Sequence, residues 1–130
     1  YRVTSEKKDT LLKRRLRLLD SYFNVTGHHT YSLDQVRDGA MYNIRGSRIL
    51  RPYKKQLALL EPLRLRRITR GMSHAARRRH VYHLWWHPQN FGLNMEENLD
   101  FLGKVLKHFA GLRQSTGMRS LSMCEISCIA

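Results

Sequence analysis

The chain has 130 residues, a length that suits one domain around one core, taken here as residues 1–130. Hydrophobic residues make up 42%, too many for a disordered tail, and no apolar run approaches the ~20 residues of a membrane-spanning helix. The net charge of +14, from 24 Lys and Arg against 10 Asp and Glu, turns attention to anionic partners: nucleic acid, a membrane surface or an acidic polymer.

The chain opens on Tyr1-Arg2-Val3-Thr4 without an initiator methionine, as expected of a piece cut from a longer protein. Tyr1 to Thr10 is polar and charged, unlike a signal peptide. Residues 6–23 are predicted to form a helix, with Leu12, Leu16, Leu19 and Phe23 on one apolar stripe and Gly27 ending the pattern. A loop follows over His28 to Ser32. Asn24-Val25-Thr26 matches the glycosylation triplet, a pattern common by chance.

Asp38-Gly39 signals a turn, and Ala40 to Ile44 reads as a short strand broken by Gly46-Ser47. Lys54 to Leu60 reads as a short helix. Pro62 suits the first position of a longer helix running to about Arg79. Leu65, Ile68, Met72 and Ala75 are its expected buried face. Two or three of its arginines are expected to lay their stems on apolar surface with the heads in water.

Val81 to His87 reads as an aromatic-rich strand stopped by Pro88. Asn94 and Glu97 have the spacing of a helix N-cap and its partner. Met95, Leu99, Leu102, Leu106 and Phe109 then form a helical stripe, stopped by Gly117. Arg119 to Met123 is the candidate last strand. This alternation predicts an α/β layer with crossover helices, more like part of a barrel than a whole one.

The chemistry concentrates in His83-Leu84-Trp85-Trp86-His87-Pro88. Alternation along a strand puts Val81, His83, Trp85 and His87 on one face, and Tyr82, Leu84 and Trp86 on the other. His87 then sits at the C-terminal end of a strand, where parallel α/β folds build active sites. A histidine there suits proton transfer near neutral pH. A strand histidine is more often a hydrogen-bonded core residue, and strand tryptophans are often only core; for His83, deeper in the strand, the core reading is stronger still.

Three stretches, His83 to Gly92, Met95 to Leu99 and Gly117 to Met123, together resemble the C-terminal region of polysaccharide deacetylases. Gly27 to Ser32 and Ile44 to Tyr53 look like the same group, the bacterial relatives of chitooligosaccharide deacetylase, so the likeness covers nearly the whole chain. It implies the C-terminal half of a distorted (β/α) barrel. It also implies a metal-dependent hydrolase that removes N-acetyl groups from a polysaccharide or oligosaccharide. His87 would be the general acid, and Trp85, Trp86 and Asn90 would contact the substrate. Trp85 stands where the family commonly has leucine.

The resemblance stops short of the metal site. The family's Asp-Asp pair and its His-x-x-x-His-type pair do not occur here, and its arginine-proline motif is absent because Arg51-Pro52 lies in the wrong context. His28 and His29 are adjacent and diverge, while His83 and His87 lie about 13 Å apart along a strand. The resemblance therefore implies no cofactor in this segment and a divalent metal such as zinc in the full-length relative. The missing N-terminal half of the barrel would be a partner, and the segment alone would be inactive. Cys124 and Cys128 read as reduced thiols, which with the polar start fits a cytoplasmic protein, its basic surface suited to peripheral contact with a membrane. Two other classes compete: a basic nucleic-acid-binding module, disfavoured because no nucleic-acid-binding motif can be read, and a non-catalytic degenerate fragment.

Overall fold

The computed structural model describes Leu16, residues 18–39 and residues 41–129. Most of the predicted first helix, and the arginines along it, lies outside the described residues. Leu18, Leu19 and Asp20 are helical, and the helix gives way to a turn at Ser21. Leu16, Leu19 and Phe23, expected on a buried stripe, are about half exposed, while Asp20, Ser21 and Tyr22 are buried instead. A carboxylate rather than a leucine anchors this end of the helix, for reasons that its partners make clear below.

Ser32 opens a single helical turn, α1 (Leu33–Val36), through a capping box with Gln35. Two short antiparallel strands follow, β1 (Arg37–Asp38) and β2 (Met41–Tyr42). The predicted strand at Ala40 to Ile44 is therefore the second half of a small hairpin and not a member of the main layer. Gly39 adopts a φ of 61°, the left-handed conformation that the turn requires and glycine supplies at little cost.

The main layer is β3 (Arg48–Ile49) paired in parallel with β4 (Leu84–Trp85), in a register that sets Arg48 opposite Leu84 and Ile49 opposite Trp85. Between them run a 3-10 helix, Lys55–Leu60, and α2 (Glu61–Arg78). A parallel pair needs a crossover of this kind, so β3, α2 and β4 form one strand–helix–strand unit. Pro62 stands at the second helical position, one later than predicted. The predicted strand Val81 to His87 is shorter than expected. Val81 bridges antiparallel to Tyr31, only Leu84 and Trp85 join β3, and His87 lies beyond the ladder.

α3 (Met95–Thr116) returns across α2 and ends on Gly117 at φ 71°, as its glycine predicts. The core gathers Leu50, Ile68, Met72, Phe91, Phe101 and Val105 between these elements. Ile68, Met72 and Ala75 are buried as expected, and Leu102 and Phe109 of the predicted α3 stripe pack against the core. The other members, Met95, Leu99 and Leu106, are more than half exposed, and Asn98, Phe101 and Val105 are the fully buried residues of the helix. The inward face of α3 is therefore turned partway from the predicted one. Asn94 does not cap the helix, because its backbone is left-handed (φ 57°) and its side chain makes no cap bond. Asn98 works instead, accepting from the Tyr53 amide at 2.7 Å and donating to the Leu93 carbonyl at 2.9 Å.

The predicted last strand, Arg119 to Met123, is not formed. Residues 117–122 are irregular and α4 (Met123–Ile129) follows. The reason is local: Ser122 and Glu125 close a reciprocal cap, with Glu125 accepting from the Ser122 amide at 2.7 Å and Ser122 Oγ accepting from the Glu125 amide at 3.3 Å. The chain is thus mixed α/β, with small sheets and no closed barrel among the described residues. No described helix is long and apolar enough to cross a membrane.

Candidate functional site

The C-terminal end of β4 carries the residues that sequence singled out. Trp85, Trp86 and His87 are all exposed, and Asn90 is half-buried on the 3-10 helix Pro88–Phe91. Proline sets the first turn of that helix, and the Asn90 amide donates to the His87 carbonyl at 2.9 Å. The Trp85 indole meets the His87 imidazole edge to face, with ring centroids 5.3 Å apart and planes at 88°. Trp86 points to the other side of the chain and stacks on Phe91 at 5.9 Å. Trp85 and His87 therefore share a face as the alternation predicts, and Trp86 stands apart from them. Among the described residues no hydrogen bond holds the His87 ring, so its nitrogens are open to a ligand.

Trp85 takes its place because Gly46 has no side chain. A Cβ there would stand 2.7 Å from the indole Nε1. Gly71 does the same for Tyr82, whose ring lies 2.8 Å from where a Cβ would be. These two close approaches press the segment 82–85 onto β3 on one side and α2 on the other.

Sequence reasoning missed a second constellation beneath this one. Asp20, 1% exposed, receives two guanidinium groups. Arg48 of β3 donates to its carboxylate at 2.7 Å and to its main-chain carbonyl at 3.1 Å. Arg67 of α2 lies 3.6 Å from the other carboxylate oxygen. The Val25 and Thr26 amides complete the shell at 3.2 and 3.0 Å. Burial alone would push the Asp20 carboxyl up. The Arg48 hydrogen bond and charge and the Thr26 amide outweigh that, and hold it below its ordinary 3.8. Tyr82 lies against this cluster, and burial pushes its phenol up to about 12 despite the nearby arginines. Arg67 and Arg64 are not among the α2 arginines that keep their heads in water. Both are buried, and Arg64 bonds Glu61 and the Arg51 carbonyl while lying 3.9 Å over the Phe101 ring.

Around Arg67 three histidines gather. Arg67 donates to His28 Nδ1 at 3.2 Å and to the Gly27 carbonyl. His28 stacks on His74 at 4.8 Å. The Thr30 hydroxyl touches His74 Nδ1 at 3.1 Å and His80 Nδ1 at 3.0 Å. Burial, then the charge of Arg67, depresses His28; burial, then Arg78, depresses His74.

These donors do not fit a catalytic metal. The His28 and His74 rings lie face to face rather than converging, and the inner nitrogen of His28 is committed to Arg67. Among the described residues, no group of three or more His, Cys, Asp or Glu side chains could hold an ion. His83 contacts the Ile44 carbonyl at 3.4 Å, and Cys124 and Cys128 are exposed free thiols on α4. Neither a family model, nor a curated protein, nor a solved structure matches this chain.

Proposed function

We propose that the chain is the late portion of a polysaccharide-deacetylase-like (β/α) barrel, in which His87 hands a proton to the amine leaving an N-acetylated sugar. One observation carries this reading. β3 and β4 are parallel across a helical crossover, and His87 stands two residues past the C-terminal end of β4 with an unbonded imidazole. That is the position at which parallel strand–helix folds present their reacting groups. Trp85 supports it by offering a flat apolar surface at right angles to the imidazole, suited to the face of a pyranose ring or to an acetyl methyl. The part of His87 is confined to the proton: its imidazolium donates to the nitrogen as the carbon–nitrogen bond breaks. Among the described residues no His, Cys, Asp and Glu donors group to fit a metal, so the reading assigns no step of water activation to them.

The nucleic-acid reading loses support from the burial of Arg64 and Arg67, which removes two cations from the helix that suggested it. The sugar reading has a direct test. The chain holds 2 tryptophans, Trp85 against His87 and Trp86 on the other side of the same segment, so emission excited where tyrosine does not absorb reports on this segment, with Trp85→Phe separating the two indoles. Titration with an N-acetylated glucosamine oligomer is expected to quench or blue-shift that emission. The deacetylated oligomer should do so more weakly. An emission spectrum indifferent to either sugar would overturn the proposal.

A further inference from the structure

A groove of about 440 Å³ lies between α2 and α3, formed by residues outside the candidate site. Pro62, Leu65 and Thr69 line it from α2, and Lys104, Lys107 and His108 from α3, with Arg66 at its edge. The Thr69 hydroxyl is turned away, donating to the Leu65 carbonyl at 3.1 Å, so threonine offers its methyl. The floor is therefore apolar. Arg66, Lys104 and Lys107 are exposed cations around it. Lys104 is paired with Asp100 at 2.7 Å, and His108 is held by Ser73 at 2.9 Å.

We propose that this groove binds an anionic amphiphile: a single hydrocarbon chain carrying a phosphate. An apolar floor without fixed donors gives a bare anion nothing but flexible amines. A cationic rim gives a neutral chain no reason to prefer this place. Only a ligand with both parts uses both features. The volume falls within the few hundred Å³ usual for small-molecule sites. The chain would lie along Pro62, Leu65 and Thr69, and the phosphate would face Arg66 and Lys107. Asp100 keeps Lys104 partly neutralised, which leaves those two as the principal charges. The inference does not depend on the deacetylase reading, because it shares no residue with that site.

The test uses the whole chain and dodecyl phosphate below its micelle concentration, followed by titration calorimetry and by the His108 ring resonances. Inorganic phosphate and dodecyl maltoside serve as the two half-ligands. The expected result is saturable binding of dodecyl phosphate with movement of the His108 signals, and at least about tenfold weaker binding of either half-ligand, a gap near 1.4 kcal/mol. Reversal of both rim charges, Arg66→Glu with Lys107→Glu, should weaken binding about tenfold or more. The matched reversal of exposed Arg77→Glu with Arg78→Glu should leave it within about threefold, since those residues lie off the groove. All four residues are exposed, so the variants should fold. Equal loss in both double variants would reduce the effect to overall charge and overturn the proposal. So would equal affinity for dodecyl maltoside, or for phosphate alone.

Discussion

Trp85 occupies the space that a side chain on Gly46 would need: a Cβ would come 2.7 Å from its Nε1 and 2.9 Å from its Cδ1. The indole is held there between Gly46 and the His87 ring. Gly46→Ala is expected to push it outward, break the edge contact with His87 and destabilise the fold by about 1–3 kcal/mol, the usual range for an overpacked position. Urea unfolding and the tryptophan emission maximum measure the two effects. Unchanged emission would show that Trp85 does not depend on this glycine.

Gly103 is the opposite case. It lies inside α3, at a helical φ, with nothing within 4 Å of where its Cβ would be. Gly103→Ala should therefore stabilise the protein by about 0.5–1 kcal/mol through helix propensity alone. A rise in the urea midpoint with an unchanged slope is the expected signature.

Asp20 holds Arg48 and Arg67 together in a site almost closed to water. Asp20→Asn keeps the shape but leaves two buried guanidinium groups without a counter-charge. A loss of about 3–5 kcal/mol is expected from breaking a buried pair on one side. The carboxyl is depressed below 3.8 in the fold, so its contribution is complete above that pH and lost as the pH falls through the folded value. The wild type should therefore lose stability in acid below about pH 4 more steeply than the variant.

A second pH effect belongs to histidine. Arg67 can only donate, so His28 Nδ1 must accept, and the ring is neutral with its proton on Nε2. A further proton has to land on Nδ1 and displaces Arg67. His28 and His74 are both depressed below 6.5, so the folded state binds fewer protons than the unfolded chain in that range. Their contribution is present above 6.5 and fades as the pH falls through their folded values. Thermal unfolding midpoints should drop between neutral pH and about pH 5. His28→Gln, which retains an acceptor for Arg67 but does not titrate, should flatten that drop. An equal drop in the variant would remove His28 from the account.

The long helices were legible because each carries a sustained period and a stop. α2 ends at Arg78, beside the predicted Arg79, and α3 ends on Gly117. The face of α3 was legible in part: Leu102 and Phe109 pack against the core as their stripe predicts, but packing against α2 buries Asn98, Phe101 and Val105 and leaves Met95, Leu99 and Leu106 exposed. β3 was missed because two residues beginning with an arginine show no alternation, and Arg48 is buried only because Asp20 waits for it from 28 positions away. The false strand at Arg119 to Met123 had a readable warning in the Ser122-x-x-Glu125 cap. Trp85 and His87 were placed correctly on one face by alternation. The polar cluster of Asp20, Arg48, Arg67 and His28 was beyond reach, since no spacing announces partners scattered over separate elements.

The hydroxyl of Thr30 sits between two imidazole nitrogens, His74 Nδ1 and His80 Nδ1, and owns a single hydrogen. It can give that hydrogen to one ring only, while its two lone pairs can accept from either ring or from both. Of the ways to place the protons on two neutral imidazoles, the one that leaves both Nδ1 atoms bare is excluded, because one hydrogen cannot serve two acceptors. At least one of His74 and His80 therefore carries its proton on Nδ1, and a hydroxyl with a single hydrogen acts as a rule on the tautomers of two rings that lie on different stretches of the chain.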